Sequence, residues 1–400
     1  MTSKRSIISP RVAAIQESAT LAVTAKAKAM KAAGEDVVAF AAGEPDFDTP
    51  QFIKDAAVAA LAAGQTKYAP VPGTPELRKA VCRKLKRENG LDYDPAEIVV
   101  SAGAKHSLFN VVLTLVSDGD EVLIPAPYWV SYPEQVLFAG GVPVPVETKP
   151  GDGFRLTAGA VEKAITPKTK AIIINSPSNP TGAVYDAKTL EAVAKIVVQH
   201  DLWVISDEIY EHLIYGGKKH VSIFSVADLK QRGVLVNGLS KAYAMTGWRV
   251  GYTAAPVEVT NAMKNLQSQS VSNITTFVMS AAAVALDGDQ ADVEKMRLAF
   301  EKRRDLIIRR VKAIPQLDCT EPEGAFYLMV DVTKLIGKTV GGRKIESGTD
   351  FCLAMLDAIK VAAIPGEPFG APGWVRFSYA CSEDTINKGF DRIAKLLKDV

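Results

Sequence analysis

The stretch Gly233–Arg249, GVLVNGLSKAYAMTGWR, decides how the chain is read. It opens as a short apolar run, turns polar at Asn237, and sets Lys241 eight positions before Arg249 with small and turn-forming residues between them. A near-continuous Val/Leu run fits a strand covered on both faces, which is the habit of parallel sheets. A flexible cation just past such a strand is unusual, because lysine ordinarily stays in water.

Three further segments share this form. EIVVS (Glu97–Ser101) exits into SAGAKHS (Ser101–Ser107), AIIIN (Ala171–Asn175) into NSPSNPTG (Asn175–Gly182), and LWVIS (Leu202–Ser206) into SDEIYEH (Ser206–His212). EVLIP (Glu121–Pro125) is another strand, and helical patterns fall at Lys105–Leu115 and Lys188–Gln199. Strands alternating with helices predict an α/β fold with a mostly parallel sheet. In such sheets ligands bind outside the carboxyl ends of the strands, so four polar exits predict one assembled site.

At 400 residues the chain is too long for one compact core, and two domains are expected. The pattern changes after Val250: a long helical region is expected from Pro256 to Ala313, then strands at Gly324–Val332 and Trp374–Ala380 with the Gly/Pro-rich loop Pro365–Gly373 between them. The expected division is a large domain over 51–290 and a smaller α/β domain from 1–50 and 291–400. Two basic stretches, Arg78–Asn89 and Glu301–Lys312, read as solvated faces of amphipathic helices.

A net charge of +2 gives no electrostatic case for nucleic acid or an acidic membrane. Four scattered cysteines, with neither a C-x-x-C pair nor zinc spacing, fit a reducing compartment and no metal. MTSKRSIISPR has no apolar segment behind it, so no secretory signal is expected, and no apolar run is long enough to span a bilayer. A cytoplasmic protein is the expectation.

The exits differ in chemistry. AGAK opens a helix with small residues and free backbone N–H groups, which suits either a phosphate or close helix packing. Asp207, with Tyr210 three residues on, reads either as a helix cap or as a buried partner for a protonated ring nitrogen. Lys241 reads either as a surface lysine or as an amine nucleophile whose proton is displaced by the nearby cation Arg249, a residue that also matches phosphate oxygens. Arg376 is a charge within an apolar run and demands an anionic partner. Phosphate cradle, acid, tyrosine and reactive lysine together match the aldehyde, pyridine nitrogen and phosphate of pyridoxal 5'-phosphate.

The sequence resembles the class I aminotransferases of the aspartate aminotransferase family, fold-type I pyridoxal-phosphate enzymes, in their prokaryotic-type branch. The segments AAGEPDFDTP, TKYAPVPGTPELRKA, IPAPYWVSYPE, NSPSNPTGAVY, SDEIYEHLIY, SKAYAMTGWRVGY, PEGAFY and RFSYACSE carry the resemblance across most of the chain. It implies that Lys241 holds the cofactor's aldehyde carbon covalently and shuttles the substrate Cα proton. It implies that Asp207 pairs with the ring nitrogen, that Tyr210 and Asn179 bond the phenolic oxygen, and that Trp129 stacks on the ring. Arg249, Ser240 and the backbone at Gly103, Ala104 and Lys105 would hold the phosphate. Tyr68 would reach the phosphate of a second copy, which implies a homodimer with shared active sites. Arg376 and the backbone of Gly43 would bind the substrate α-carboxylate.

The reaction so implied is ping-pong transamination between an amino acid and a 2-oxo acid, with aspartate and 2-oxoglutarate as the expected pair. Lys105 is the candidate for the distal carboxylate. Alternatives on the same fold are an aromatic or prephenate aminotransferase and a C–S lyase. The chain departs from the family at Gly238, where many relatives place a hydroxyl, and at Gln16-Glu17, where close relatives carry Lys-Pro. The latter argues against prephenate. A cofactor-binding regulator would need a DNA-binding extension, and only a short segment precedes Gly43. A dehydrogenase lacks its G-x-G-x-x-G motif and a metal hydrolase its H-E-x-x-H.

Overall fold

The computed structural model describes residues 7–15 and 19–400. The Gln16-Glu17 pair lies outside the described residues.

The large sheet has seven strands: β1 (Ile98–Ala102), β2 (Glu121–Ala126), β3 (Val142–Glu147), β4 (Thr169–Asn175), β5 (Trp203–Asp207), β6 (Gly233–Gly238) and β7 (Val250–Ala254). Their spatial order is β1-β7-β6-β5-β4-β2-β3. Neighbours from β6 through β3 are parallel, whereas β7 runs antiparallel to both β6 and β1. The predicted Val/Ile/Leu runs are buried on both faces; Ala171–Ile174 of β4 are all at most 1% exposed. Two strands were not expected. VPVPVE of β3 carries two prolines, which an edge strand tolerates because one side makes no ladder. VGYTA of β7 follows directly on Arg249.

Helices cover the sheet and extend from it. Those of eight residues or more are α1 (Ala19–Ala32), α2 (Gln51–Ala62), α3 (Pro75–Lys84), α4 (Ala104–Leu115), α5 (Ser131–Phe138), α6 (Ala187–Gln199), α7 (Val257–Ser268), α8 (Thr276–Asp287), α9 (Ala291–Lys312), α10 (Gly348–Ile359) and α11 (Glu383–Leu396). The long helical region expected from Pro256 to Ala313 is therefore three helices. It breaks between Ser268 and Thr276, where Ser272 takes a left-handed conformation, and again at Gly288. A second, antiparallel sheet of four strands, β8 (Asp318–Cys319), β9 (Tyr327–Asp331), β10 (Ile364–Pro365) and β11 (Trp374–Ser378), has the order β10-β11-β9-β8.

Apolar burial falls mainly into separate cores. Two flank the large sheet, on either face of strands such as β4 and β5. Another is built mostly from residues 296–397, with Val38, Phe40, Ile209, Tyr210, Leu213 and Tyr215. Lys84 corrects the solvated reading of the first basic stretch: it is 1% exposed and bonded to Glu211.

Candidate active site

All four polar exits end at one cavity of about 470 Å³, at the carboxyl ends of β1, β4, β5 and β6. Gly43, Ala104, Lys105, Trp129, Asn179, Asp207, Tyr210, Ser240, Lys241, Arg249 and Arg376 line it. Gly103 lies just beneath Arg249. Tyr68 is not among the lining residues and is 93% exposed.

Asp207 ends β5 and is 3% exposed. Its Oδ2 accepts from the Tyr132 hydroxyl at 2.7 Å and its Oδ1 from the Ile209 N–H at 3.2 Å. Burial pushes its pKa up to about 6, although Tyr132 and Ile209 pull the other way. This carboxylate is under-compensated and faces a cavity.

Lys241 lies in the connection between β6 and β7, and its Nζ donates to the Gly43 carbonyl at 2.6 Å. Burial brings its pKa down to about 8; Glu44 opposes this, while Arg376 and Arg249 add to it. Roughly a tenth of the amine is therefore free at pH 7, far more than for an ordinary lysine, which favours a nucleophilic role.

Arg249 adopts a left-handed backbone, with φ 58°. Its guanidinium donates to the carbonyls of Thr246 at 2.7 Å and Ala102 at 3.4 Å. Gly103 has φ 87°, and a Cβ there would stand 2.6 Å from the Arg249 guanidinium. A Cβ on Gly251 would stand 2.2 Å from the Ala104 nitrogen. These two glycines let the start of α4, with its unbonded N–H groups, close against Arg249 and β7. Gly238 has the same kind of cause: a Cβ would meet the Val250 carbonyl oxygen at 2.7 Å. The hydroxyl that many relatives place there has no room in this chain.

Arg376, 2% exposed on β11, donates to Asn179 Oδ1 at 2.9 Å and to the Ala41 carbonyl at 3.3 Å. Its charge lies 4.3 Å from the Tyr327 ring centroid, and its buried Nε has no partner. No carboxylate pairs with it among the described residues. Asn179 is anchored through its N–H to Asn175, which in turn donates to the Asp207 carbonyl at 3.0 Å. The Tyr210 hydroxyl bonds that of Tyr327 at 2.9 Å. Lys105 holds its ammonium 4.8 Å from the Trp129 ring centroid, and burial followed by Arg249 lowers its pKa.

Sequence reasoning missed Tyr132, Tyr327, Glu44, Thr246, Thr24 and Lys28, all of which line the cavity. Tyr132 had a signal: it follows Trp129 by three residues, and their rings meet edge-to-face at 5.3 Å. Thr24 and Lys28 stand four apart on α1, the spacing of one helix face. Glu44 accepts from the Thr246 hydroxyl at 2.9 Å. In all, the cations Lys28, Lys105, Lys241, Arg249 and Arg376 outnumber the carboxylates Glu44 and Asp207. The cavity is built for anions.

Comparison with known proteins agrees with this geometry. The sequence profile described as "Aminotransferase class I and II" matches residues 35–393. The aspartate aminotransferase of Geobacillus stearothermophilus is 48% identical, over 98% of this chain and 99% of that one. A probable aspartate/prephenate aminotransferase of Aquifex aeolicus is also 48% identical, over 98% and 99%. The solved structure of aspartate aminotransferase from Thermus thermophilus with maleate superposes with a TM-score of 0.93 at 46% identity, covering 98% of this chain and 99% of that one. The fold is that of the fold-type I enzymes, and the chain belongs to the class I and II aminotransferase family.

Proposed function

We propose that this aminotransferase uses pyridoxal 5'-phosphate and transfers amino groups between aspartate and 2-oxoglutarate. One observation carries the reading. A buried, under-compensated carboxylate, a lysine of lowered pKa and an arginine over a glycine cradle share a cavity with an arginine that lacks a carboxylate partner. This donor set fits the cofactor group by group: Lys241 for its aldehyde, Asp207 for its ring nitrogen, Arg249 and the Gly103–Lys105 backbone for its phosphate. When bound, the cofactor supplies an electron sink for the bonds at the substrate Cα.

The protein's part is binding, orientation and proton handling. Asp207 keeps a proton on the ring nitrogen, its charge stabilised in turn by that cation. Tyr210 and Asn179 bond the phenolic oxygen, Trp129 covers the ring face, and Ser240 lies beside the phosphate. Arg376 grips the α-carboxylate through two parallel N–H bonds, with the Gly43 backbone beside it. The Lys241 Nζ takes the proton from the substrate Cα and carries it within the closed cavity. Lys105 meets the distal carboxylate.

The segments 1–50 and 291–400 form the part that closes over the substrate, against a large domain of 51–290; a core drawn mostly from residues 296–397, which Ile209, Tyr210, Leu213 and Tyr215 of the large domain join, supports that division. Tyr68, bare on its own chain, completes the site of a second copy in a homodimer. Four free cysteines fit a cytoplasmic enzyme. A second reading, action on prephenate as well as aspartate, draws on Lys28 as an added cation for a second carboxylate. It also draws on the aspartate/prephenate name of the Aquifex relative.

A steady-state screen of aspartate, glutamate, tyrosine and phenylalanine as donors, with 2-oxoglutarate and oxaloacetate as acceptors, tests the assignment. Ping-pong kinetics with aspartate and glutamate fastest are expected. If those two turn over slowest, the substrate choice is wrong.

A further inference from the structure

The segment Ser206–His212 sends its side chains to two places. Asp207 and Tyr210 line the cavity, whereas Glu208 and Glu211, 1% and 8% exposed, lie outside it in a buried polar cluster. There Lys84, the last residue of α3, donates to Asn89 Oδ1 at 2.8 Å and to Glu211 Oε1. Glu211 also accepts from Asn89 at 2.8 Å and from Asn237 Nδ2 at 2.6 Å. Asn237 Oδ1 takes the Gly238 N–H at 2.7 Å. Glu208 accepts from the hydroxyls of Ser206 and Ser222 and meets His220 Nε2 at 2.8 Å.

The carboxylates and histidines here stand close enough to ligate a metal ion, but the Lys84 ammonium already supplies the cation. A buried ion pair seldom adds net stability over well-packed apolar residues, so this one calls for another role. Its connectivity supplies one. Glu211 lies four residues after Asp207, and Asn237 lies four residues before Lys241. One carboxylate therefore ties the exit of β5 to the end of β6, and a satisfied buried network holds its members in a single arrangement.

We infer that Lys84, Glu211 and Asn237 are positioning residues that set Asp207 against Lys241 across the β5 and β6 exits. The inference rests on the site roles proposed above for those two residues. Its test needs no cofactor.

The full chain, freed of cofactor, is acetylated over a pH series, and modification of Lys241 is followed by peptide mass spectrometry. Wild-type Lys241 should label with a midpoint of about 8, set by burial and by Glu44, Arg376, Arg249 and Asp207 around it. Two variants are compared: Asn237→Ala, and the paired replacement Lys84→Met with Glu211→Leu, which leaves no buried charge stranded. Loss of positioning withdraws the Asp207 carboxylate, whose charge raises the proton affinity of Lys241, so the Lys241 midpoint should fall in both variants, quickening labelling at pH 6 about tenfold for each pH unit of the fall. An unchanged Lys241 midpoint in both variants, with or without a fall in melting temperature, would overturn the inference and leave the cluster a purely structural role. If wild-type chain labels as expected but fails to take up pyridoxal phosphate, the cofactor reading fails while the coupling stands.

Discussion

Asp207 and Glu211 are two carboxylates on one short segment, both nearly inaccessible to solvent, and their proton affinities move in opposite directions. Burial raises both. Around Asp207 a tyrosine hydroxyl, one backbone N–H and, more weakly, the charge of Lys241 oppose it without overcoming it, and the pKa settles at about 6. Around Glu211 the Lys84 ammonium, two histidines and Asn89 overcome it and hold the carboxyl below the usual carboxylate range. The contrast separates a finished interior from an unfinished one. Glu211 has its cation within the chain, and Asp207 is built to receive one from outside.

The sharpest way to break this contrast is at the amine that shares the unfinished side. Lys241→Ala should lower turnover by roughly 10⁴-fold or more, since nucleophile and proton carrier go together. Borohydride treatment, followed by intact-mass measurement, should fix pyridoxal phosphate to the wild type and not to the variant. Sustained turnover in Lys241→Ala would remove this residue from the reaction.

Arg376→Lys comes next. It keeps the charge and loses the planar pair of N–H bonds, so KM for both amino acid and 2-oxo acid should rise about 10- to 100-fold, with less change in kcat. Equal loss of affinity for a simple amine lacking a carboxylate would point to a structural effect instead.

The pH dependence of stability comes third and tests the two carboxylates directly. In cofactor-free chain Asp207 binds its proton more tightly when folded, with a pKa of about 6 against the ordinary 3.8. Its contribution therefore favours the folded state at low pH and is lost as pH rises from about 4 to 6, by about 3 kcal/mol. Glu211 has the opposite sign: its stabilisation is present at neutral pH and disappears as pH falls through the carboxylate range. Urea unfolding at pH 4.5 and 7 should show a clearly larger gain on going from wild type to Asp207→Asn at the higher pH. Saturating the wild type with cofactor should cancel the Asp207 penalty.

The smallest effect is expected from Tyr132→Phe. Losing one hydrogen bond, worth about 0.5–1.5 kcal/mol, should raise the Asp207 pKa further and lower cofactor affinity by up to roughly tenfold. Fluorescence titration with pyridoxal phosphate measures it, and unchanged affinity would show that Asp207 is held without Tyr132.

The exits were legible together, because each is a change of chemistry at the end of an apolar run: four of them on one sheet read as one site, whereas SDEIYEH alone reads just as easily as a helix cap. Arg376 was legible for the same reason, as a charge where burial forbids one. Lys84 was not, since its partner Glu211 is 127 residues away and a lysine among RKLKR has every local reason to be solvated. Tyr132 was half legible, three residues from Trp129, but its bond to Asp207 spans 75 residues. Strand β3 was hidden by its prolines, which are harmless only at a sheet edge that sequence alone does not reveal. The breaks in the long helical region depend on Ser272 and Gly288, weak signals beside strong helical periodicity.

The reversal of β7 has a practical consequence for redesign. Parallel strands are joined by crossover segments that can lengthen far from the cavity, but Leu239–Arg249 joins two antiparallel neighbours pinned at Gly238 and Gly251. An added residue between Lys241 and Arg249 changes the length of chain that sets the Lys241 amine against the Arg249 guanidinium. On the cofactor reading proposed above, this connection sets the distance between the group for the aldehyde and the group for the phosphate. Variants that aim to change what the enzyme accepts can trade side chains along it, but length changes belong in the crossovers on the other strands.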